Sequence, residues 1–142
     1  MANEFARNLQ DASLNPATFT LPTTIAAAGS AVSAAIDLGP DLVKGTGFEV
    51  DLAVPALNAT IAPAASTAGV TYSVESSTTS TFAAVARVLG SQTIAGSGSG
   101  VVATSLRVRV PSNCERYIRA RVLLGTTATD ASALAATLTL RF

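Results

Sequence analysis

Carboxylates and guanidinium groups carry nearly all the chemistry this 142-residue chain could do, since it has no His, no Trp and a single Cys. A His-based triad, a His metal site, a cysteine-rich zinc site and an intrachain disulfide framework are excluded by counting. General acid–base work near neutral pH most often uses His, so carboxylates are left to supply it. Glu49 and Asp51 stand two apart and fall on one face of a strand, the nearest approach to a paired-carboxylate site. Few aromatic rings accompany them, and sugar sites commonly stack rings, so an outward, salt-bridged or solvated role is expected for the pair. Asp37, Asp41, Glu49 and Asp51 are oxygen ligands without a calcium loop around them. The run 96–100 is rich in Gly but lacks the Gly-Lys-Ser/Thr of a phosphate loop. Cys114 has no His to activate it and reads as a passive residue. No catalytic residue, metal or cofactor is expected.

The positive signal is the arginines. Eight of the nine basic residues are Arg, Lys44 being the exception, and Arg107, Arg109, Arg116, Arg119 and Arg121 fall within 15 positions. Arg makes bidentate, plane-matched pairs with carboxylates and is enriched at protein interfaces. The same residues could equally form a solvated strand face with cross-strand pairs to Glu49 and Asp51. Nine basic and nine acidic groups give zero net charge, which argues against a nucleic-acid surface or a membrane-binding patch.

These side chains must be held by strands. Short runs of Thr, Val, Leu and Ile recur between Gly, Pro, Ser and Asn, giving eight expected strands at 17–22, 32–38, 47–54, 70–76, 82–89, 101–110, 117–124 and 134–142. Such spacing without long helical periods predicts an all-β chain, an antiparallel sandwich of jelly-roll type. Period-two alternation places Phe48, Val50, Leu52, Val108, Ile118, Val122, Leu138 and Leu140 inward. Arg107 with Arg109, and Arg119 with Arg121, then point outward. Residues 55–69 form a Pro- and Ala-rich loop and 95–100 a Gly/Ser loop. The domain is expected over 17–142, preceded by an N-terminal arm over 1–16 whose Phe5, Arg7 and Leu9 could dock on a neighbour. That segment has no apolar signal core, and no run of 18 apolar residues occurs, so a soluble product of a cytoplasm is expected. Charged residues are only 13% of the chain, and 28 Ala with 32 Ser and Thr fill much of the rest. So thin a charge cover suits a surface that is partly covered by assembly.

The order and spacing of several pieces resemble the small jelly-roll cement (decoration) proteins of tailed-phage capsids, Bordetella-phage type. Ile36-Asp37-Leu38-Gly39 is followed by a Gly45-Thr46-Gly47 turn and the strand 48–54. Then come 70–75, the polar stretch 76–81 with Phe82, and Val110-Pro111 ahead of Glu115-Arg116-Tyr117-Ile118-Arg119. The resemblance covers roughly residues 30–140 and departs in the N-terminal segment and the Ala-rich 55–68 loop. It implies a virion structural protein on the outer capsid surface. Such a protein binds the major capsid protein and stabilises the shell against internal DNA pressure, as homo-dimers or homo-trimers on the shell. It implies no catalysis, no cofactor, no nucleic acid and no membrane partner, and synthesis in a host cytoplasm. Candidate interface residues are Phe5, Arg7, Leu9, Glu49, Asp51, Arg107, Arg109, Arg119 and Arg121. The alternative is a ligand- or glycan-binding β-sandwich module on a phage tail or surface structure, which would need an exposed aromatic platform.

Overall fold

A computed structural model describes residues 17–20, 30–39, 48–59, 69–85, 87–95, 99–123, 131 and 133–141. The expected arm at 1–16, with Phe5, Arg7 and Leu9, lies outside the described residues, as do Asp41, Phe142 and most of the 55–69 loop. Nine strands are described: β1 (Ala17–Thr20), β2 (Ser30–Val32), β3 (Ile36–Asp37), β4 (Glu49–Val54), β5 (Val70–Ser77), β6 (Arg87–Ile94), β7 (Thr104–Arg109), β8 (Tyr117–Leu123) and β9 (Ala135–Arg141). They form two antiparallel sheets, ordered β1-β9-β4-β7 and β2-β8-β5-β6, with β3 also on β8. Because β2 and β3 share β8, they count as one interrupted strand. Successive strands then alternate between the sheets except at the β5–β6 hairpin, which is the eight-strand jelly-roll pattern. The expected fold class is therefore the observed one.

Alternation decides which face is buried. Val50, Leu52 and Val54 of β4, Val108 of β7 and Ala136, Leu138 and Leu140 of β9 face Val70, Tyr72 and Val74 of β5 and Ile118, Ala120 and Val122 of β8. All eight core residues expected from the sequence are buried. Leu57 pairs with Val101 through both backbone amides and closes one end. Gly100 makes that bridge possible: its φ is +85°, and a Cβ there would run into the Leu57 carbonyl oxygen.

Two expected strands are corrected. The run 32–38 breaks at 33–35, and Ser33 compensates for the break. Its amide donates to the Ala120 carbonyl and its hydroxyl accepts from the Ala120 amide, both at 3.0 Å, so β8 loses no backbone partner. The run 82–89 is not a strand over its first half, and β6 extends to Ile94 instead. Residues 78–85 form a turn in which the Ser77 hydroxyl donates to the Ala84 carbonyl at 2.9 Å and accepts from the Thr79 amide at 3.2 Å. Phe82 sits there at φ +51°, a region a bulky side chain enters only when its surroundings impose it. A bulge between Val74 and Glu75 leaves Leu89 unmatched in the β5–β6 register.

Candidate functional site

The outward faces of the two sheets each carry a carboxylate gripped by arginines. On the four-stranded sheet, β4 places Glu49 and Asp51 beside β7 and β9. The register sets Asp51 opposite Arg107 and Thr139, and Glu49 opposite Arg109 and Arg141. Asp51 belongs to the outer face yet is only 5% exposed, because its neighbours fold over it. It accepts from the Ser105 hydroxyl and from Arg141, whose Nε and Nη2 lie at 2.9 and 2.8 Å, while Arg107 approaches at 3.8 Å. Burial pushes the Asp51 carboxyl up, but the Ser105 and Arg141 hydrogen bonds and the Arg141 and Arg107 charges outweigh it. The net result lies below the usual carboxylate range. Arg107 also reaches Glu49 at 3.9 Å. Arg109 is exposed and has no ion pair among the described residues. A carboxylate so well supplied with donors holds its charge and is a poor proton donor. The arrangement suits fixing strand register and presenting cations.

On the five-stranded sheet the acid is Glu75, which is not among the candidate residues expected from the sequence. Its side chain is 5% exposed. Arg119 donates to it through Nε at 3.0 Å and Nη2 at 2.9 Å, and Arg121 stands at 3.6 Å. The Arg119 guanidinium lies 4.2 Å from the centroid of the Phe82 ring, so the left-handed turn places an aromatic face on the cation. Arg119 and Arg121 were expected to find Glu49 or Asp51, but those acids belong to the other sheet. The correction follows from β8 pairing with β5, which sets Glu75 opposite Arg119 and Ser73 opposite Arg121. Arg119 is only 17% exposed and Arg121 40%, so the two differ in what they can offer a partner.

A third pair ties the interrupted strand to β8. Arg116 grips Asp37 bidentately at 2.8 and 2.7 Å, and the Gly39 amide adds a bond at 2.8 Å. The Arg116 hydrogen bonds are the main reason the Asp37 carboxyl lies below its usual range. Arg116 also lies 5.1 Å from the Tyr117 ring centroid. Asp37, Glu75, Phe82, Arg116, Tyr117 and Arg119 all belong to the pieces that carry the family resemblance. In the fold they act locally, fixing β3, β5 and the 78–85 turn to β8.

The described aromatic side chains build no platform. Phe48, Tyr72 and Phe82 are buried, and Tyr117 is half-buried against Arg116. Among the described residues no group of three or more His, Cys, Asp or Glu could hold a metal, and no helix is long and apolar enough to cross a membrane. Cys114 is buried, and burial raises its thiol, as suits a passive residue.

No protein-family model and no curated protein sequence matches this chain. Among solved structures it is similar to the K1 cleaved adhesin domain of Lys-gingipain from Porphyromonas gingivalis W83, at 18% identity and a TM-score of 0.44. That match covers 80% of this chain and 60% of the adhesin domain, so the chain spans less than two thirds of that domain. It is also similar to the carbohydrate-binding module CBM6cm-2 of Cellvibrio mixtus lichenase 5A, in complex with cellotriose, at 13% identity and a TM-score of 0.42. Here 93% of this chain and 92% of the module are covered. A third likeness, to a structure described as CBM4 structure and function, has 11% identity and a TM-score of 0.45 over 87% of this chain and 68% of that one. Similarities this distant concern the β-sandwich architecture and leave the ligand question to the residues of this chain.

Proposed function

We propose that this chain is a non-catalytic structural protein of a tailed-phage virion, a cement protein that binds the outer surface of the capsid shell. The carrying observation is the ordered set of sequence pieces resembling that family. Its support is that these pieces meet in space: Ile36 and Asp37 pair with Ile118 and Tyr117, and β5 pairs with the same β8 strand. Residues far apart in sequence that resemble one family also hold one sheet together, as expected of a shared fold. Thin charge cover, exposed Arg107 and Arg109 and half-buried Arg121 suit repeated protein contacts, and many copies on a shell let modest contacts add up.

A glycan-binding module is the alternative reading, and the adhesin and carbohydrate-binding likenesses share its architecture. It asks for exposed rings, which the described surface does not offer. One experiment separates the two. The purified chain is incubated with heads of the encoding phage prepared without it, and in parallel is applied to a glycan array. The cement reading expects saturable binding to heads, outer-surface density in images of the particles, and a blank array. Glycan binding with bare heads would replace it with the module reading.

A further inference from the structure

β6 differs from the other edges of this sandwich. Each sheet has two edges, formed by β1 and β7 in one and by β2 with β3 and β6 in the other. An edge strand presents unpaired backbone donors and acceptors, and monomeric proteins blunt such edges with short strands, charges or Pro. β1, β2 and β3 are four, three and two residues long, and β7 carries Arg107 and Arg109. β6 runs for eight residues, and from Val88 to Ile94 it has neither charge nor Pro. Among the described strands it pairs only with β5, and Val88, Ser91, Gln92 and Thr93 are exposed.

We propose that β6 is a self-recognition edge, pairing antiparallel with β6 of a second copy about a twofold axis at Gln92. The five residues beyond the bulge are self-complementary in that register. Gln92 meets the partner's Gln92, Ser91 meets the partner's Thr93, and Gly90 meets the partner's Ile94. Antiparallel partners share a face, and these pairs match faces as β5 defines them. Thr71, Ser73, Ser91 and Thr93 lie on the outer side, where the Thr71 and Thr93 hydroxyls are already 2.8 Å apart. Gly90, Gln92 and Ile94 lie on the core side. The added Ser91–Thr93 contacts extend that hydroxyl row, and cross-strand Ser/Thr pairs of this kind are favourable. Zero net charge and an uncharged edge mean that a second copy meets no repulsion along the seam, and a twofold contact closes on itself. No partner other than the chain itself is needed.

The test uses the isolated chain, so its outcome is separate from the capsid reading. Sedimentation equilibrium over a concentration series to about 1 mM should show a monomer–dimer equilibrium. Gln92→Lys sets like charges face to face on the axis and should shift the equilibrium fully to monomer with unchanged melting. Gln92→Cys should form a covalent dimer on mild oxidation, since antiparallel partners lie about 4.5–5.5 Å apart at Cα, within disulfide reach. Val102→Cys, at a residue 80% exposed and outside β6, is the control: it should keep the wild-type equilibrium and form no covalent dimer. A chain that remains monomeric throughout, a Gln92→Lys dimer of undiminished affinity, or equal cross-linking of the two Cys variants would overturn the proposal.

Discussion

Tyr72 is a large residue with no exposure at all, and among the described residues its hydroxyl has no hydrogen-bond partner. Burying an unsatisfied hydroxyl costs about 1–3 kcal/mol by mutational measures. Tyr72→Phe is therefore expected to stabilise the fold by roughly 1 kcal/mol, read as a higher urea midpoint at pH 7. Burial also pushes the phenol up to about 12. A group raised on folding contributes stability below its unfolded value, near 10, and loses it as pH climbs toward 12. The wild type should weaken across that window more than Tyr72→Phe; parallel alkaline curves would refute this. Asp51 works in the opposite direction. Its carboxyl is depressed on folding, so its contribution is present above about pH 4 and is lost as pH falls below that. Asp51→Asn should cost about 1.5–3 kcal/mol at pH 7, the range for hydrogen bonds to charged groups, and less at pH 3. An equal loss at both pH values would mean that the charge is not what matters. The sequence revealed the outward set Glu49, Asp51, Arg107 and Arg109 because charge alternates with Val and Leu there. It concealed the depth of Asp51, which depends on Arg141 arriving from a strand 90 positions away. Glu75 stayed hidden for the same reason: its strand was legible, but nothing local names β8 as the neighbour 44 positions on.

Elements were legible where the outer face is charged. β4, β7 and β8 alternate Val, Leu or Ile with Glu, Asp or Arg, and each expected strand overlaps the observed one. β6 was misplaced because its signal is inverted. The apolar run from Phe82 to Val85 is a turn closed by Ser77, while the real strand shows Ser, Gln and Thr to solvent and turns Gly90 to the core. Gly90 reads as a strand breaker, yet here it is a packing requirement. A Cβ at position 90 would lie 2.5 Å from Val108 Cγ2, across the sandwich from β6. Gly90→Ala is expected to cost about 1–3 kcal/mol by overpacking. Val108→Ala in the same chain should return part of that loss, because it removes the atoms in conflict. Urea denaturation of the two single variants and the double variant gives the coupling directly, and strictly additive losses would show that the two residues do not meet.

At the scale of the whole molecule, the arginines divide into those that hold the sandwich and those left for a partner. As outward-facing interface candidates, Arg119 and Arg121 would together carry interface energy and leave the melt nearly unchanged when replaced. The Glu75 contacts alter that expectation. Arg119 is nearly covered, makes two hydrogen-bond-length contacts to a buried carboxylate and lies over Phe82, so its loss leaves Glu75 with only the longer Arg121 contact at 3.6 Å. Breaking a buried pair from one side costs about 3–5 kcal/mol. Arg119→Gln should therefore lower the melting temperature by roughly 10 °C or more at this chain length. Arg107 is 59% exposed, with acid contacts near 4 Å, and Arg109 has no ion pair among the described residues. Exposed pairs contribute only about 0–1 kcal/mol, so Arg107→Gln with Arg109→Gln should move the melt by a few degrees at most. If these two meet the shell, desolvation there makes each worth more, about 2–5 kcal/mol on truncation. Occupancy on purified heads should then fall at least tenfold and become less sensitive to salt than the wild type. Unchanged occupancy and an unchanged salt response would remove β7 from the contact. The outer face of β8 at Arg121 would then be the next surface to test, followed by the 55–69 loop and residues 1–16.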